Sequence, residues 1–90
     1  MVPLKTEEEL EVMRENGRIL AEVLHALCSE VKPGKDTLFF DRLAEEMIKE
    51  SGGEPAFKVF AGFPGTINAS INEEIVHGIP SKERVLREGD

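Results

Sequence analysis

Apolar residues in the first third of the chain recur at spacings of three and four. The stripe defined by this spacing consists of Leu10, Met13, Leu20, Leu24, Leu27 and Val31, with Gly17 in one of its slots, and Ala21 and Val23 broaden it. Thr6 and Glu9 have the spacing of a capping box. Together these patterns predict a long amphipathic helix over Glu7 to Glu30 with the stripe buried. Gly17 costs about 1 kcal/mol relative to Ala, so it indicates either a close neighbour or a tolerated kink.

A second helical pattern follows the break at Pro33-Gly34. Asp36 and Thr37 can cap a helix that runs roughly from Leu38 to Glu50. Its buried stripe would consist of Phe40, Leu43, Ala44, Met47 and Ile48. A Gly-Gly pair ends the pattern. The short connection predicts two antiparallel helices.

The periodicity changes after Gly53. Alternation in Phe57-Lys58-Val59 and in Ile67-Asn68-Ala69-Ser70-Ile71 predicts short strands. Glycine and proline between them indicate a turn, and Arg87 to Asp90 has the composition of another. The fold class that follows is α/β (α+β), with two antiparallel helices packed on short antiparallel strands. The 90 residues suffice for one small domain or part of a larger one.

The composition excludes several classes of protein. A net charge of −7 argues against binding to nucleic acid, which requires a basic surface. Cys28 is the only cysteine, so neither an internal disulfide nor a thiolate metal cluster is expected. No apolar run approaches the roughly 20 residues that cross a bilayer, and the N-terminus lacks the layout of a signal peptide. We therefore expect a soluble cytoplasmic protein with no membrane partner.

Most of the side chains that could carry chemistry have a structural explanation. His25 and Cys28 lie three apart on the first helix, but Cys28 flanks the stripe expected to be buried, where cysteine behaves as a small hydrophobe. Glu73 and Glu74 lie beside His77, but one histidine and two neighbouring acids form no recognised metal site.

His77 and three phenylalanines leave two interpretations open. Phe57, Phe60 and Phe63 recur every third residue in a segment that contains Gly and Pro. Such aromatic side chains can line a concave pocket or pack beneath the helices. His77, taken alone, can be structural or catalytic. Spacing does not decide between these interpretations.

The combination of motifs is more specific. The stretch FPGTINASINEEIVHGIP, residues 63–80, resembles the type I methionine aminopeptidases, in which F/Y-P, S-[IV]-N-E and H-G-[IL]-P recur in this order. KTEEELEVMRENGRILAEVL and VKPGKDTLFFDRLAEEMI resemble the first two helices of that family, and VLREGD resembles its turn before a metal-binding strand. The resemblance covers nearly the whole chain. It implies that residues 1–90 are a partial domain, the N-terminal half of the pita-bread fold, in which two related halves surround a curved antiparallel sheet.

The resemblance also implies an activity and roles for individual residues. The family removes the initiator methionine from new polypeptides with divalent metal ions, and Co, Mn, Fe and Zn all suit its type of ligand set. His77 resembles the histidine that hydrogen-bonds the substrate at the scissile peptide and stabilises the tetrahedral intermediate. Phe57, Phe60 and Phe63 match positions of the methionine pocket. Asn68 falls where many relatives carry cysteine, so its role in the pocket stays open.

The resemblance places all of the family's metal ligands after the position matching Asp90. It therefore implies that residues 1–90 supply half a pocket and one catalytic histidine but no metal ligand, and that they are inactive alone. One alternative is a non-enzymatic half-domain that binds a partner or itself. A related peptidase acting on X-Pro bonds is a further alternative, which the H-G-I-P element disfavours.

Overall fold

The computed structural model describes residues 2–90, except for the side chain of Phe60. Its elements are three helices, α1 (Glu7–Ser29), α2 (Thr37–Glu50) and α3 (Ala56–Phe60). Turns and extended segments follow α3, and residues 2–90 contain no β-strand. The β pairing in this range is one isolated antiparallel bridge between Asp36 and Val85. No helix in this range is long and apolar enough to cross a membrane.

The first helix begins where its capping box predicts. The backbone N–H of Thr6 donates to Glu9 Oε1 at 2.9 Å, and the N–H of Glu9 donates to Thr6 Oγ1 at 3.1 Å. These two bonds satisfy amides that have no partner inside the helix. The helix ends at Ser29, one residue before the predicted end.

The buried face of α1 agrees with the predicted stripe only in part: Leu10 and Leu27 are partly buried, and Val23, which broadens the stripe, is buried. Ile19 is partly buried as well, whereas Leu20 and Leu24 are more than half exposed. Met13 and Val31 of the predicted stripe are also more than half exposed. In the middle of the helix the inward face is therefore shifted by one residue, about 100° of the helical turn, from Leu20 and Leu24 to Ile19 and Val23. Adjacent apolar pairs, Ile19-Leu20 and Val23-Leu24, give the same spacing on both faces, so periodicity could not choose between them.

The prediction for α2 is confirmed. Asp36 is the N-cap, and its Oδ1 accepts a hydrogen bond from the N–H of Phe39 at 2.8 Å. Phe40 and Ala44 are buried, and the remaining members of the predicted stripe are partly buried. α1 and α2 pack against each other as a helical hairpin.

The strand predicted over Phe57-Lys58-Val59 is wrong, because these residues form α3. Pro55 is the N-cap of this helix, and Lys58 Nζ lies 3.0 Å from Glu45 Oε1 of α2. Residues 67–71 have no strand assignment either. There, a single backbone bond joins Ala69 N to Gly78 O at 2.8 Å. A strand needs a ladder of such bonds, so the strand part of the predicted fold is not confirmed.

No close neighbour explains Gly17. A Cβ built at this position would have no atom within 4 Å beyond its chain neighbours and its own helix backbone. The interpretation of Gly17 as a close-packing site is therefore wrong in this structure.

Because a Cβ at position 17 would contact no neighbouring atom, we expect Gly17→Ala to raise the free energy of unfolding by about 0.5–1 kcal/mol. Urea unfolding followed by circular dichroism measures this change. Gly52→Ala is the contrasting variant: Gly52 has a φ of 88°, so the same substitution should destabilise there. A loss of stability in Gly17→Ala would show that a neighbour does approach this position.

Candidate functional site

The segment that carries His77 is attached to one face of α2 by two buried polar side chains. We call residues 66–81 the site segment. Asp41 Oδ1 accepts hydrogen bonds from the backbone N–H groups of Thr66 at 2.6 Å and Ile67 at 2.9 Å. Thr37, one turn earlier, accepts from Ser81 N–H at 2.9 Å and donates to Ser81 O at 3.2 Å. Both ends of the site segment are therefore fixed to the same helix.

Between these attachments the chain folds back on itself. The N–H of Ala69 donates to Gly78 O, and the N–H of Gly78 donates to Ser70 Oγ at 3.1 Å. These bonds place Ser70 against the peptide that joins His77 to Gly78. Ala69 and Gly78 are thus a hydrogen-bonded pair from the two arms of the site segment, one arm containing Ser70 and the other containing His77. Asn68 precedes Ala69 in the first arm, and His77 precedes Gly78 in the second.

Glu74 stabilises the tip of the site segment. Its Oε1 accepts from the N–H of Ile71 at 2.9 Å, and the Glu74 N–H donates to Ile71 O at 3.0 Å. Arg84 Nη2 lies 3.0 Å from the same carboxylate oxygen. The Ile71 N–H, followed by the Arg84 guanidinium, lowers the pKa of Glu74 below its usual value. These contacts agree with the structural interpretation of Glu74 made from the sequence.

His77 is exposed and has a left-handed backbone, with a φ of 58°. Among residues 2–90, Asn72 is the other residue besides glycine with a positive φ, at 51°. This region costs an L-residue roughly 1–2 kcal/mol and is uncommon outside glycine, although asparagine, aspartate and histidine enter it more often than other residues. Backbones of this kind are concentrated at functional sites. The left-handed backbone is therefore a structural reason to consider His77 as a site residue, which sequence spacing alone did not provide.

Two of the three phenylalanines lie together. The rings of Phe57 and Phe63 meet edge to face with centroids 6.2 Å apart. The N–H of Phe63 also donates to Phe57 O at 2.9 Å. The side chain of Phe60 lies outside the described part of the structure.

Phe57 also borders an apolar cleft of about 530 Å³ between α1 and the end of α2. The described residues lining this cleft are Asn16, Ile19, Leu20, Val23, Ile48, Ser51, Gly53, Glu54, Pro55, Ala56, Phe57 and Thr66. Phe63, Asn68 and His77 are not among them. The structure therefore brings Phe57 close to Phe63, but it does not combine Phe57, Phe63 and His77 in this one cleft.

The side chains present do not fit a metal ion. Within residues 2–90, no three His, Cys, Asp or Glu side chains form a group that could hold one. Cys28 is exposed, not buried as its place beside the predicted stripe suggested. His25 is likewise exposed on α1.

Sequence reasoning missed Asp41, although a signal for it exists. Thr37 and Asp41 lie on the same face of α2 as the buried Ala44, at helical spacings of four and three. A carboxylate within such a face must find hydrogen-bond donors, because burying an unpaired charge is costly. The sequence could reveal this requirement. It could not reveal that the donors would come from residues 66 and 67.

Comparison with known proteins shows what the chain is similar to. Residues 11–90 match metallopeptidase family M24. All 90 residues align with a methionine aminopeptidase from Clostridium acetobutylicum at 51% identity and with methionine aminopeptidase 1 from Bacillus subtilis at 49%. The chain spans 36% of the length of each of these relatives. The crystal structure of methionine aminopeptidase from Rickettsia prowazekii matches the whole chain with a TM-score of 0.92 and 34% identity, and the chain covers 36% of that protein.

Removing the Asp41 carboxylate should loosen the site segment. Asp41→Ala leaves the buried amide of Thr66 and the part-buried amide of Ile67 without an acceptor, so we expect it to lower the free energy of unfolding by about 3 kcal/mol. Asp41→Asn keeps an acceptor and should cost about 1 kcal/mol. Glu46→Ala, at an exposed position of the same helix, is the control and should stay within about 0.5 kcal/mol. Equal unfolding curves for Asp41→Ala and Glu46→Ala would contradict the anchoring role.

Proposed function

Because the chain belongs to metallopeptidase family M24, we propose that the protein carrying it is a methionine aminopeptidase. It would remove the initiator methionine from the N-terminus of new polypeptides in the cytoplasm. The observation that carries this proposal is the similarity of all 90 residues to proteins of that name. The structural likeness to the enzyme from Rickettsia prowazekii supports it independently. Residues 1–90 would form the N-terminal part of a pita-bread catalytic domain.

His77 would act as an electrostatic catalyst. An imidazole at an exposed turn can donate a hydrogen bond to a substrate, and it requires no other side chain for this. A donor aimed at the scissile peptide stabilises the negative charge that develops on the carbonyl oxygen during hydrolysis. The left-handed backbone of His77 supports this assignment, because sparsely populated backbone conformations cluster at functional sites.

The phenylalanines would recognise the methionine side chain. The rings of Phe57 and Phe63 already meet edge to face, and Phe60 would complete the group. A thioether gains roughly 0.3–1.5 kcal/mol from contact with aromatic rings. Asn68, close to the Ala69–Gly78 pair, would lie beside this pocket, and the substrate would be a peptide that begins with methionine.

A divalent metal is part of the proposal, since the family is one of metallopeptidases. When bound, such an ion supplies an activated water for peptide hydrolysis. The donor set of residues 2–90 does not fit a metal, so its ligands would have to come from other residues. On this proposal the 90-residue chain alone would bind substrate weakly and would not hydrolyse it.

A second candidate is a self-associating module. We call Met13, Leu20 and Leu24 the outer face of α1, and all three are more than half exposed. Contiguous apolar surface of this kind favours association with another surface. The net charge of −7 works against a dimer, and for that reason we rank this candidate second.

We expect His77→Ala, in the complete protein that carries residues 1–90, to lower kcat by on the order of 10²- to 10³-fold. The substrate is a tripeptide with methionine followed by a small residue, and the melting temperature should change little because His77 is exposed. His25→Ala changes the other histidine, which lies on the exposed surface of α1, and should leave kcat unaltered. If His77→Ala turns over substrate at the parent rate, the catalytic role of His77 is wrong.

For the second candidate, we expect the 90-residue chain to sediment at a mass that rises above 10.0 kDa as its concentration approaches the high micromolar range. Replacing Leu20 and Leu24 with glutamine removes apolar surface from the outer face of α1 and should restore the monomer. Circular dichroism verifies that both chains keep their helices. A chain that stays at 10.0 kDa throughout would rule out self-association.

A further inference from the structure

The backbone of His77 requires an external restraint. The left-handed region is unfavourable for a residue with a Cβ, and it persists only where surrounding contacts hold it. The His77 side chain is exposed, so most of the restraint on the direction of the imidazole must come from the backbone. The contacts of the next residue, Gly78, supply that restraint.

Two hydrogen bonds fix the peptide planes on either side of Gly78. The Gly78 N–H belongs to the peptide that rotates with ψ of His77, and it donates to Ser70 Oγ at 3.1 Å. The Gly78 carbonyl accepts from the N–H of Ala69 at 2.8 Å. Rotation about ψ of His77 would break the first bond. The Ser70 hydroxyl therefore restrains the dihedral angle that helps direct the His77 side chain.

Gly78 permits this arrangement because it has no side chain. A Cβ at this position would lie 2.3 Å from Ala69 O and 2.7 Å from Ser70 Cα. No real Cβ approaches a backbone atom so closely. Any larger residue would push the arm that contains Ser70 away from the arm that contains His77, and the Ser70 hydroxyl would lose its donor.

We propose that Ser70 is a positioning residue for His77, acting through the hydrogen bond from Gly78 N–H to Ser70 Oγ. The proposal rests on the proposed function of His77. Ser70 itself need not touch the substrate. Its role is to keep the imidazole in the orientation in which it can donate to the scissile peptide, since small misplacements of a catalytic group reduce the rate strongly.

The first test is Ser70→Ala in the complete, metal-loaded protein, assayed with a tripeptide that begins with methionine. We expect kcat to fall on the order of tenfold, with a change in KM below about twofold, because binding of the methionine side chain does not involve Ser70. Ser29→Ala is the matched control. Its hydroxyl also makes one bond to backbone, to Ala26 O at 2.8 Å on the exposed surface of α1, and its loss should leave kcat unchanged. An unchanged kcat in Ser70→Ala overturns the proposal.

Two variants of nearly equal shape, Ser70→Thr and Ser70→Val, provide a test that stays valid if Ser70→Ala does not fold. Ser70 is exposed, so a slightly larger side chain fits there. Ser70→Thr keeps the hydroxyl and Ser70→Val replaces it with a methyl group. We expect Ser70→Thr to retain most of kcat and Ser70→Val to show the loss. Equal kcat values for the two variants overturn the proposal.

A double-mutant cycle separates this inference from the proposed function. If Ser70 acts through His77, then Ser70→Ala should have no further effect on kcat in a His77→Ala background. If the two losses multiply, or if His77→Ala lowers kcat while Ser70→Ala does not, the positioning role is wrong and the catalytic role of His77 stands. If His77→Ala itself leaves kcat unchanged, both fail.

Discussion

Two buried polar side chains on one turn of α2 hold the site segment in place. Thr37 and Asp41 are four residues apart, so they lie on the same face of the helix, and they bind the two ends of the site segment. Both side chains are buried and therefore need these hydrogen bonds, because an unpaired polar group in the interior costs free energy. The position of α2 therefore sets the position of the segment that carries His77, through these two contacts.

The helices and the site segment are stabilised by different forces. Three of the four buried hydrophobic residues among the described positions, Val23, Phe40 and Ala44, belong to the helical hairpin. Ile71 is the fourth, and it is the only one in the site segment. Order in the site segment consequently depends on hydrogen bonds between its arms, to α2 and to Arg84. Such bonds are directional, which suits a segment that must hold a side chain at a fixed angle.

The parts of the structure that follow from local chemistry could be predicted from the sequence. The capping box at Thr6, the Asp36 cap and the apolar spacing of α2 are short-range signals, and the structure agrees with each. The buried face of α1 could be predicted only in part, because neighbouring apolar pairs in the middle of the helix give two faces with the same spacing. The strand predictions were not confirmed for another reason. Alternation of apolar and polar residues indicates a preference for a half-buried strand, while a strand also requires a second strand at hydrogen-bonding distance. The motif around His77 indicated where the site lies, but Asp41 acts across 25 positions of sequence, and no local pattern specifies such a partner.

The left-handed turn at His77 has a consequence for how the protein responds to heat. The neighbouring Ile75 and Val76 are 91% and 65% exposed, so little buried apolar surface holds this turn closed. Regions with few buried contacts open locally at a much lower free energy than the whole molecule. Opening here would let His77 relax to an ordinary backbone conformation while α1 and α2 stay folded. The temperature at which such a protein stops working would then be set by this turn and not by the melting of its helices.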